Sequence, residues 1–288
     1  MNIGEKKLKC GFRMPVFGMG TWMLGGDFKR DPENDGQADI ASLICGMEHG
    51  LKHIDTAEMY AEGFAEKISG QAIKGHNRAD LFITSKVWND DLSYDGVLRA
   101  AEKSLERLGT DYLDLYLIHK PNDAFPPAET MRAFNRLANE KTIKNIGVSN
   151  FAPERFKRFQ QLCDYKIVVN QVHYSLASRG PEQGLLEFCR ENDVMLIAWR
   201  PLSKGAIIAA EYPFFDELCR KYRKTRAQIA LNWLLSQDNV VTISTMRSIS
   251  HLEENLGALN WEMSAADMES LKTGFPGQEK VSSTLPLS

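Results

Sequence analysis

No apolar run in this 288-residue chain is long enough to span a bilayer, so no membrane segment is expected. The opening "MNIGEKKLKCGF" lacks the apolar stretch of a secretory leader. No segment is dense in Lys and Arg, and the net charge is a mild -3, which argues against nucleic-acid and anionic-membrane partners. Cysteine is sparse and odd in number: Cys10, Cys45, Cys163, Cys189 and Cys219. Scattered in this way, and mostly in helix-like segments, they fit reduced thiols of a cytoplasmic protein better than a disulfide framework. No Cys/His pairing has zinc-ligand spacing, so no metal is expected. Pro/Gly-rich linkers and low-complexity tracts are missing too, and with them any domain boundary. Nothing resembling G-x-G-x-x-G follows a strand, which removes the main support for a doubly wound dinucleotide fold.

What is present is a repeat of short apolar runs: "VFGMGTW", "HIDTA", "LFITSKVW", "YLDLYLIH", "IKNIGVS", "KIVVNQV", "VMLIAW" and "VVTIST". Continuous apolar runs of this length suit parallel strands covered on both faces. Amphipathic segments lie between them. Tyr94, Val97, Leu98, Ala101, Leu105 and Leu108 follow helical spacing, with Gly109 at the C-cap position. Ile40, Leu43, Ile44 and Met47 do the same before Gly50. "PERFKRFQQL" opens with Pro153 and stacks Phe156, Phe159 and Leu162. Eight strands alternating with helices predict a (β/α)8 TIM barrel spanning residues 1–288 as one domain. Three pieces fall outside the repeat: an N-terminal hairpin in "KKLKCGFRMPVF", an extra helix in "YPFFDELCRKYRKT", and a terminal helix in "SAADMESLKTG". In the last, Ser264 and Asp267 are spaced as a capping box.

In such a barrel the chemistry sits at the C-terminal ends of the strands. Three consecutive strands deliver Asp55, Lys86 and His119 to one rim, and Tyr60 lies just beyond Asp55. Taken singly, each has a bland reading: a turn aspartate, a loop tyrosine, a snorkelling lysine, a satisfied histidine. Their coincidence at one relative position makes a device. A phenol of pKa about 10 is a poor acid at neutral pH. A lysine about 4 Å away would interact with the phenolate by about 4 kcal/mol at an effective dielectric of 20. That could lower the phenol pKa by up to about three units before lysine's own desolvation is subtracted. Asp55 would keep Lys86 charged, and His119 could hydrogen-bond a carbonyl oxygen. Later strand ends offer Ser149, Asn150 and Gln171, groups suited to a carboxamide, and Trp199, a ring that could stack.

At this point the chain resembles the aldo-keto reductases over nearly its whole length. "GMGTW", "HIDTAEMY", "SKVW", "LYLIH", "IGVSNF", "NQVHYS", "AWRPL" and "HLEEN" carry the resemblance, in order. It implies reduction of small aldehydes and ketones with a nicotinamide cofactor, NADP(H), with NAD(H) also usable. By resemblance Tyr60 is the general acid, Asp55 and Lys86 its tuning pair, and His119 the carbonyl-orienting residue. Ser149, Asn150 and Gln171 would contact the carboxamide and Trp199 would stack on the nicotinamide. Thr21 and Trp22 would flank the same pocket, with Trp88 beside the substrate.

Departures from the family pattern are local. Where many members follow the histidine with Trp-Pro, this chain has Lys120-Pro121, which replaces an aromatic wall of the substrate pocket with an ammonium. The usual aromatic-Ser-Pro-Leu is Trp199, Arg200, Pro201 and Leu202, with Lys204 just beyond, so Arg200 stands where a serine touches the pyrophosphate. The usual Ile-Pro-Lys-Ser is Ile243 to Met246; Thr245 cannot replace the lysine charge, and Arg247 is left to carry a moderate NADPH preference. His251 stands where an arginine is common, and Glu254 and Asn255 match adenine contacts. The tail after Trp261 is too short for a long lid. A monomer is expected. Two other functions remain open here: a cofactor-binding, redox-sensing regulatory subunit, which the complete tetrad disfavours, and an aldolase forming a Schiff base on Lys86.

Overall fold

The computed structural model describes residues 3–209, 212–275, 278–280 and 287–288. β1 (Glu5–Lys7) and β2 (Arg13–Pro15) pair antiparallel as the expected hairpin, Glu5 opposite Pro15. The eight apolar runs become β3 (Phe17–Gly20), β4 (His53–Asp55), β5 (Phe82–Val87), β6 (Leu115–Ile118), β7 (Ile146–Ser149), β8 (Ile167–His173), β9 (Met195–Trp199) and β10 (Val240–Ser244). They pair in parallel in chain order, and β10 returns to β3 to close the barrel. α1 (Gln37–Glu48), α2 (Phe64–Ile73), α3 (Tyr94–Leu108), α4 (Pro127–Asn139), α5 (Pro153–Gln160) and α6 (Leu185–Glu191) each follow one strand. The path from β9 to β10 is longer, through α7 (Ala206–Ala209), the extra helix α8 (Pro213–Tyr222) and α9 (Arg226–Leu235). α10 (Ile249–Leu256) and α11 (Ala265–Gly274) follow β10. No helix of the described residues is long and apolar enough to cross a membrane.

Strand alternation sorts the side chains into two cores. On β6, Leu115 and Leu117 join Val169, Met195 and Val241, while Tyr116 and Ile118 join the larger cluster that includes helix residues. Leu8, Phe12 and Met14 of the hairpin belong to the first cluster, so the hairpin plugs the N-terminal mouth. The Lys6 ammonium locks it there, donating to the carbonyls of Leu235, Gln237 and Val240 just before and at the start of β10. Local signals agree with the elements. Ser93 caps α3 by accepting from the Gly96 N–H at 3.1 Å, and Gly109 ends it in the left-handed region at φ 63°.

Two local expectations need correction. Leu162 is 40% exposed rather than stacked with Phe156 and Phe159, because α5 stops at Gln160 and the chain leaves the helical stripe. At α11 only half of the capping box forms. Ser264 Oγ accepts from the Asp267 N–H, but the Ser264 N–H donates to Tyr222 Oη at 2.9 Å. Asp267 is one methylene shorter than the Glu or Gln of a full box, and its carboxylate takes Lys221 and Tyr222 instead.

One layer beneath the rim, His53 is fully buried and its Nε2 lies 3.0 Å from Thr84 Oγ1. Burial pushes its pKa down to about 4, so the ring is neutral at pH 7. It fits because Gly18 stands opposite: a Cβ there would meet His53 Nδ1 at 2.3 Å. The imidazole, packed edge-on against Phe82, has nowhere to go. Gly18→Ala is therefore expected to destabilise the protein by about 1–3 kcal/mol through overpacking. The change should appear as a lower urea midpoint with an unchanged slope. A shift within about 0.5 kcal/mol, the range of an ordinary surface substitution, would contradict it.

Candidate active site

The C-terminal ends of β4, β5 and β6 bring Asp55, Lys86 and His119 to one place, and the turn of residues 60–63 adds Tyr60. Lys86 is fully buried and Asp55 is 1% exposed. The Lys86 ammonium donates to Asp55 Oδ1 at 2.6 Å, to the Thr56 carbonyl at 2.8 Å and to Tyr60 Oη at 3.4 Å. The second Asp55 oxygen accepts from Gln171 Nε2 at 2.7 Å, across the barrel on β8. Thr21 ties β3 to the same spot, donating both its N–H and its hydroxyl to the Asp55 carbonyl. All four tetrad members expected from the sequence are thus brought together.

The electrostatics depart from expectation in one respect. Burial pushes the Tyr60 hydroxyl above its ordinary 10.0; Lys86 pulls it down, Asp55 pushes it up again, and the sum is upward. Burial also works against the Lys86 charge, yet Asp55 and Tyr60 more than offset it and hold its pKa above 10.5. The expected lowering of the phenol pKa does not occur, because desolvation of the phenolate exceeds the attraction of the ammonium. His119 sits far below 6.5, held down by burial and then by the Lys86 charge. It is a neutral imidazole, and among the described residues neither ring nitrogen has a hydrogen-bond partner.

The later strand ends form a second, connected group. Ser149 Oγ donates to the Gln171 carbonyl at 2.7 Å, and Asn150 Nδ2 donates to Ser149 Oγ at 2.8 Å and to the His119 carbonyl at 3.2 Å. Trp199 Nε1 donates to Asn150 Oδ1 at 3.3 Å. One face of the Trp199 ring is covered by His173, with centroids 4.5 Å apart and planes 12° apart. The Arg200 guanidinium lies 5.2 Å from the Trp199 centroid, and its charge acts on Tyr60 in the same downward sense as Lys86. Pro201 is buried, Leu202 packs on the main core, and Lys204 is exposed on a left-handed turn at φ 57°. After β10, Thr245 Oγ1 donates to the Trp22 carbonyl at 3.3 Å and Arg247 donates to the Met23 carbonyl. On α10, Glu254 is half-buried and Asn255 buried, while His251 is exposed. Lys120 is half-buried and forms no hydrogen bond or ion pair among the described residues.

Aromatic rings complete the rim. Phe28, Trp22, Tyr60, His119 and Trp88 form an unbroken edge-to-face chain with successive centroids 5.1, 5.1, 5.5 and 5.1 Å apart. Phe28, 57% exposed, is its outer lip. Sequence reasoning missed Phe28, His173 and Glu58, whose carboxylate accepts from the Trp88 N–H at 2.6 Å and so fixes that wall. Gly25 and Gly26, both at positive φ, signal a turn that folds this loop back over the rim, and they were the available clue to Phe28.

A closed barrel with a buried Asp–Lys–Tyr cluster and a neutral histidine at its C-terminal rim defines a class that comparison with known proteins resolves. Residues 16–273 match the aldo/keto reductase family pattern, and the chain belongs to that family. The glyoxal reductase of Bacillus subtilis (strain 168) is 37% identical over 270 residues, covering 92% of this chain and 90% of that protein. The thermostable aldo-keto reductase Tm1743, solved with the inhibitor epalrestat, superposes with a TM-score of 0.90 at 39% identity, over 94% of this chain and 99% of that one. An aldo-keto reductase from Klebsiella pneumoniae, solved in complex with NADPH, gives a TM-score of 0.85 at 33% identity, with 96% of each chain covered.

Removing the cation tests how far the cluster depends on it. Lys86→Met leaves the Asp55 carboxylate buried with Gln171 as its one remaining side-chain partner among the described residues. Breaking a buried pair from one side typically costs about 3–5 kcal/mol. Equilibrium unfolding at pH 7 should show a loss of that size; under about 1 kcal/mol, the value of a surface pair, would refute it.

Proposed function

We propose that the protein reduces small aldehydes and ketones to alcohols with NADPH, Tyr60 acting as the proton donor. Residues 1–288 act in this reading as one catalytic unit. The observation that carries it is the fully buried Lys86 ammonium held between Asp55 and the Tyr60 hydroxyl, beside a neutral His119 whose ring has no hydrogen-bond partner among the described residues. The residues present fit the cofactor. Gln171 Oε1 has no donor among the described residues and its Nε2 keeps one hydrogen after serving Asp55, so this amide offers both the acceptor and the donor a carboxamide needs. Ser149 Oγ and Asn150 Oδ1, their own hydrogens engaged, add acceptor oxygens. Ser149, Asn150, Gln171 and Trp199 would hold the nicotinamide, Thr21 and Trp22 would flank it, and Arg200, Pro201, Leu202 and Lys204 would run along the pyrophosphate. Thr245, Arg247, Glu254 and Asn255 would meet the adenosine end. When bound, NADPH supplies the hydride.

The chain's own residues account for the remaining steps. A neutral His119 donates one N–H to the substrate carbonyl oxygen and orients it toward Tyr60. The Tyr60 phenol, kept protonated by burial, gives its proton to that oxygen as negative charge develops there. Lys86 stabilises the phenolate left behind, and Asp55 keeps Lys86 charged. The aromatic arc from Phe28 to Trp88 excludes water from the carbonyl. A Schiff base on Lys86 is disfavoured, because all three ammonium hydrogens are engaged and its pKa is raised. The glyoxal reductase relative supports a compact carbonyl compound as substrate, with Trp22, Trp88 and Lys120 lining its pocket.

Tyr60→Phe should lower kcat/KM by about 10²–10⁴-fold while leaving the NADPH dissociation constant near normal. Wild-type turnover in the Phe variant would end this mechanism. The required form is the protonated phenol, which persists below its pKa. Because that pKa is raised and that of His119 lowered, kcat/KM should be level through neutrality and fall only above pH 10.0, the ordinary phenol value. A limb near neutrality would point to another donor.

Cofactor choice rests on the 2′-phosphate, which needs a cation. Arg247 is exposed at the mouth of α10, so Arg247→Ala should weaken NADPH by roughly tenfold to a hundredfold, the equivalent of about 1.5–3 kcal/mol, and barely alter NADH. Equal weakening of both cofactors would move the discrimination elsewhere.

A further inference from the structure

Asn150 is the junction of the rim. It is left-handed, at φ 65°, without being a glycine. Its side chain bonds the His119 carbonyl, Ser149 and the Trp199 indole at once. A strained main chain with that many obligations must be over-determined by its surroundings. Part of the restraint comes from β8, where the Gln171 carbonyl accepts from the Asn150 N–H at 3.0 Å. The rest comes from the far end of the sequence. The Ser288 N–H donates to the Asn150 carbonyl at 3.2 Å, and the Ala152 N–H donates to the Ser288 carbonyl at 3.0 Å. Leu287, partly buried against the main core, anchors this pair. Glu279 does the same on the neighbouring loop, with its N–H on the Ala177 carbonyl at 2.7 Å and its carbonyl accepting from Arg179 N–H at 2.8 Å. That loop follows His173, the ring stacked on Trp199.

We propose that Leu287 and Ser288 are positioning residues for the nicotinamide end of the site, holding Asn150, and through it Trp199, by two main-chain hydrogen bonds. This rests on the cofactor reading given above. Only the backbone of Ser288 takes part: its side chain is exposed and has no hydrogen bond among the described residues. The residue at 288 therefore matters through its N–H and carbonyl and not through its hydroxyl. Ser288→Ala should be silent, whereas Ser288→Pro removes the N–H that Asn150 uses.

The test uses the whole chain, its Ser288→Pro and Ser288→Ala variants, and a form ending at residue 286. In the cofactor-free proteins, amide hydrogen exchange at Ala152 should quicken by about three- to tenfold in the Pro and shortened forms and stay at the wild-type rate in the Ala form. The NADPH dissociation constant, read from quenching of indole emission, should rise by about the same factor in the same two forms. Their kcat at saturating NADPH should change less, and their thermal midpoints should stay at the wild-type value. A folded Pro variant with wild-type exchange and wild-type affinity overturns the proposal. So does equal weakening by Ser288→Ala, or faster exchange with an unchanged NADPH constant. If the unaltered chain fails to bind NADPH, the functional reading itself falls and this inference falls with it.

Discussion

The site depends on a buried ion pair. Taking an ammonium and a carboxylate out of water costs several kcal/mol per ion, and their attraction offsets this only when the remaining protons and lone pairs are also satisfied. Here they are. Lys86 gives its three hydrogens to Asp55, the Thr56 carbonyl and Tyr60, and the second Asp55 oxygen takes the Gln171 amide. These partners come from β4, the turn after it, β5 and β8, so satisfying one pair of charges aligns elements on both sides of the barrel. Thr21, just after β3, adds two bonds to the Asp55 carbonyl. A slip of one residue in β4 or β5 would turn its charged side chain out of the interior and leave the other charge uncompensated within it.

The same burial decides how the tyrosine behaves. Were the phenol already half-ionised at rest, much of the attraction of Lys86 would be used in the ground state and could not lower a barrier. Because desolvation wins, the proton stays on Tyr60 and the ammonium has little to attract until charge moves. The Lys86–Tyr60 separation of 3.4 Å fits this arrangement. Charge-assisted bonds settle at about 2.7–2.9 Å, so the contact has room to shorten as a phenolate forms. On the proposed chemistry, the cluster is set up for the transition state rather than for the resting enzyme.

Much of this was legible in the sequence, for a geometric reason. Apolar strand runs broken by a single polar residue mark the strand ends, and in a parallel barrel all such ends share one face, so Asp55, Lys86 and His119 had to meet. Tyr60 followed from its short separation from Asp55. The sign of the phenol shift was not legible, since it depends on how completely the rings of Trp22 and His119 cover Tyr60, and no linear pattern encodes that. Leu162 was misplaced for a related reason: the apolar stripe continues past Gln160, but the helix does not. The half-formed cap at Ser264 turned on Tyr222, a residue of another helix that sequence spacing cannot bring near. Phe28 and the Leu287–Ser288 pair act through contacts between loops, which periodicity does not reach, and His173 acts through its ring stack on Trp199 across the β8–β9 pair.

Backbone strain shows where those loop contacts matter. Apart from Asn260, in the connection between α10 and α11, non-glycine residues at positive φ among the described residues fall into two sets. Lys141, Asp193 and Arg223 lie just after α4, α6 and α8, where a left-handed residue ends a helix and satisfies its last carbonyls. Met23, Ala61, Glu62, Asn150, Arg200, Ser203 and Lys204 end no helix; they all lie in loops at the C-terminal rim. Each such position costs on the order of 1–3 kcal/mol and persists only where its surroundings demand it. The demand can be named at several of them. The Ala61 N–H reaches the Asp27 carbonyl at 2.7 Å, Glu62 accepts from the Arg30 N–H, and Ser203 reaches Ser175 at 2.8 Å. Glycine would relieve the strain at any of these sites, but it would also free the unfolded chain and, at Glu62 and Ser203, remove the side chain that makes the link. Strain at the rim is thus the local cost of joining loops from different strands into one surface, with the uniform barrel beneath supplying the stability that tolerates it.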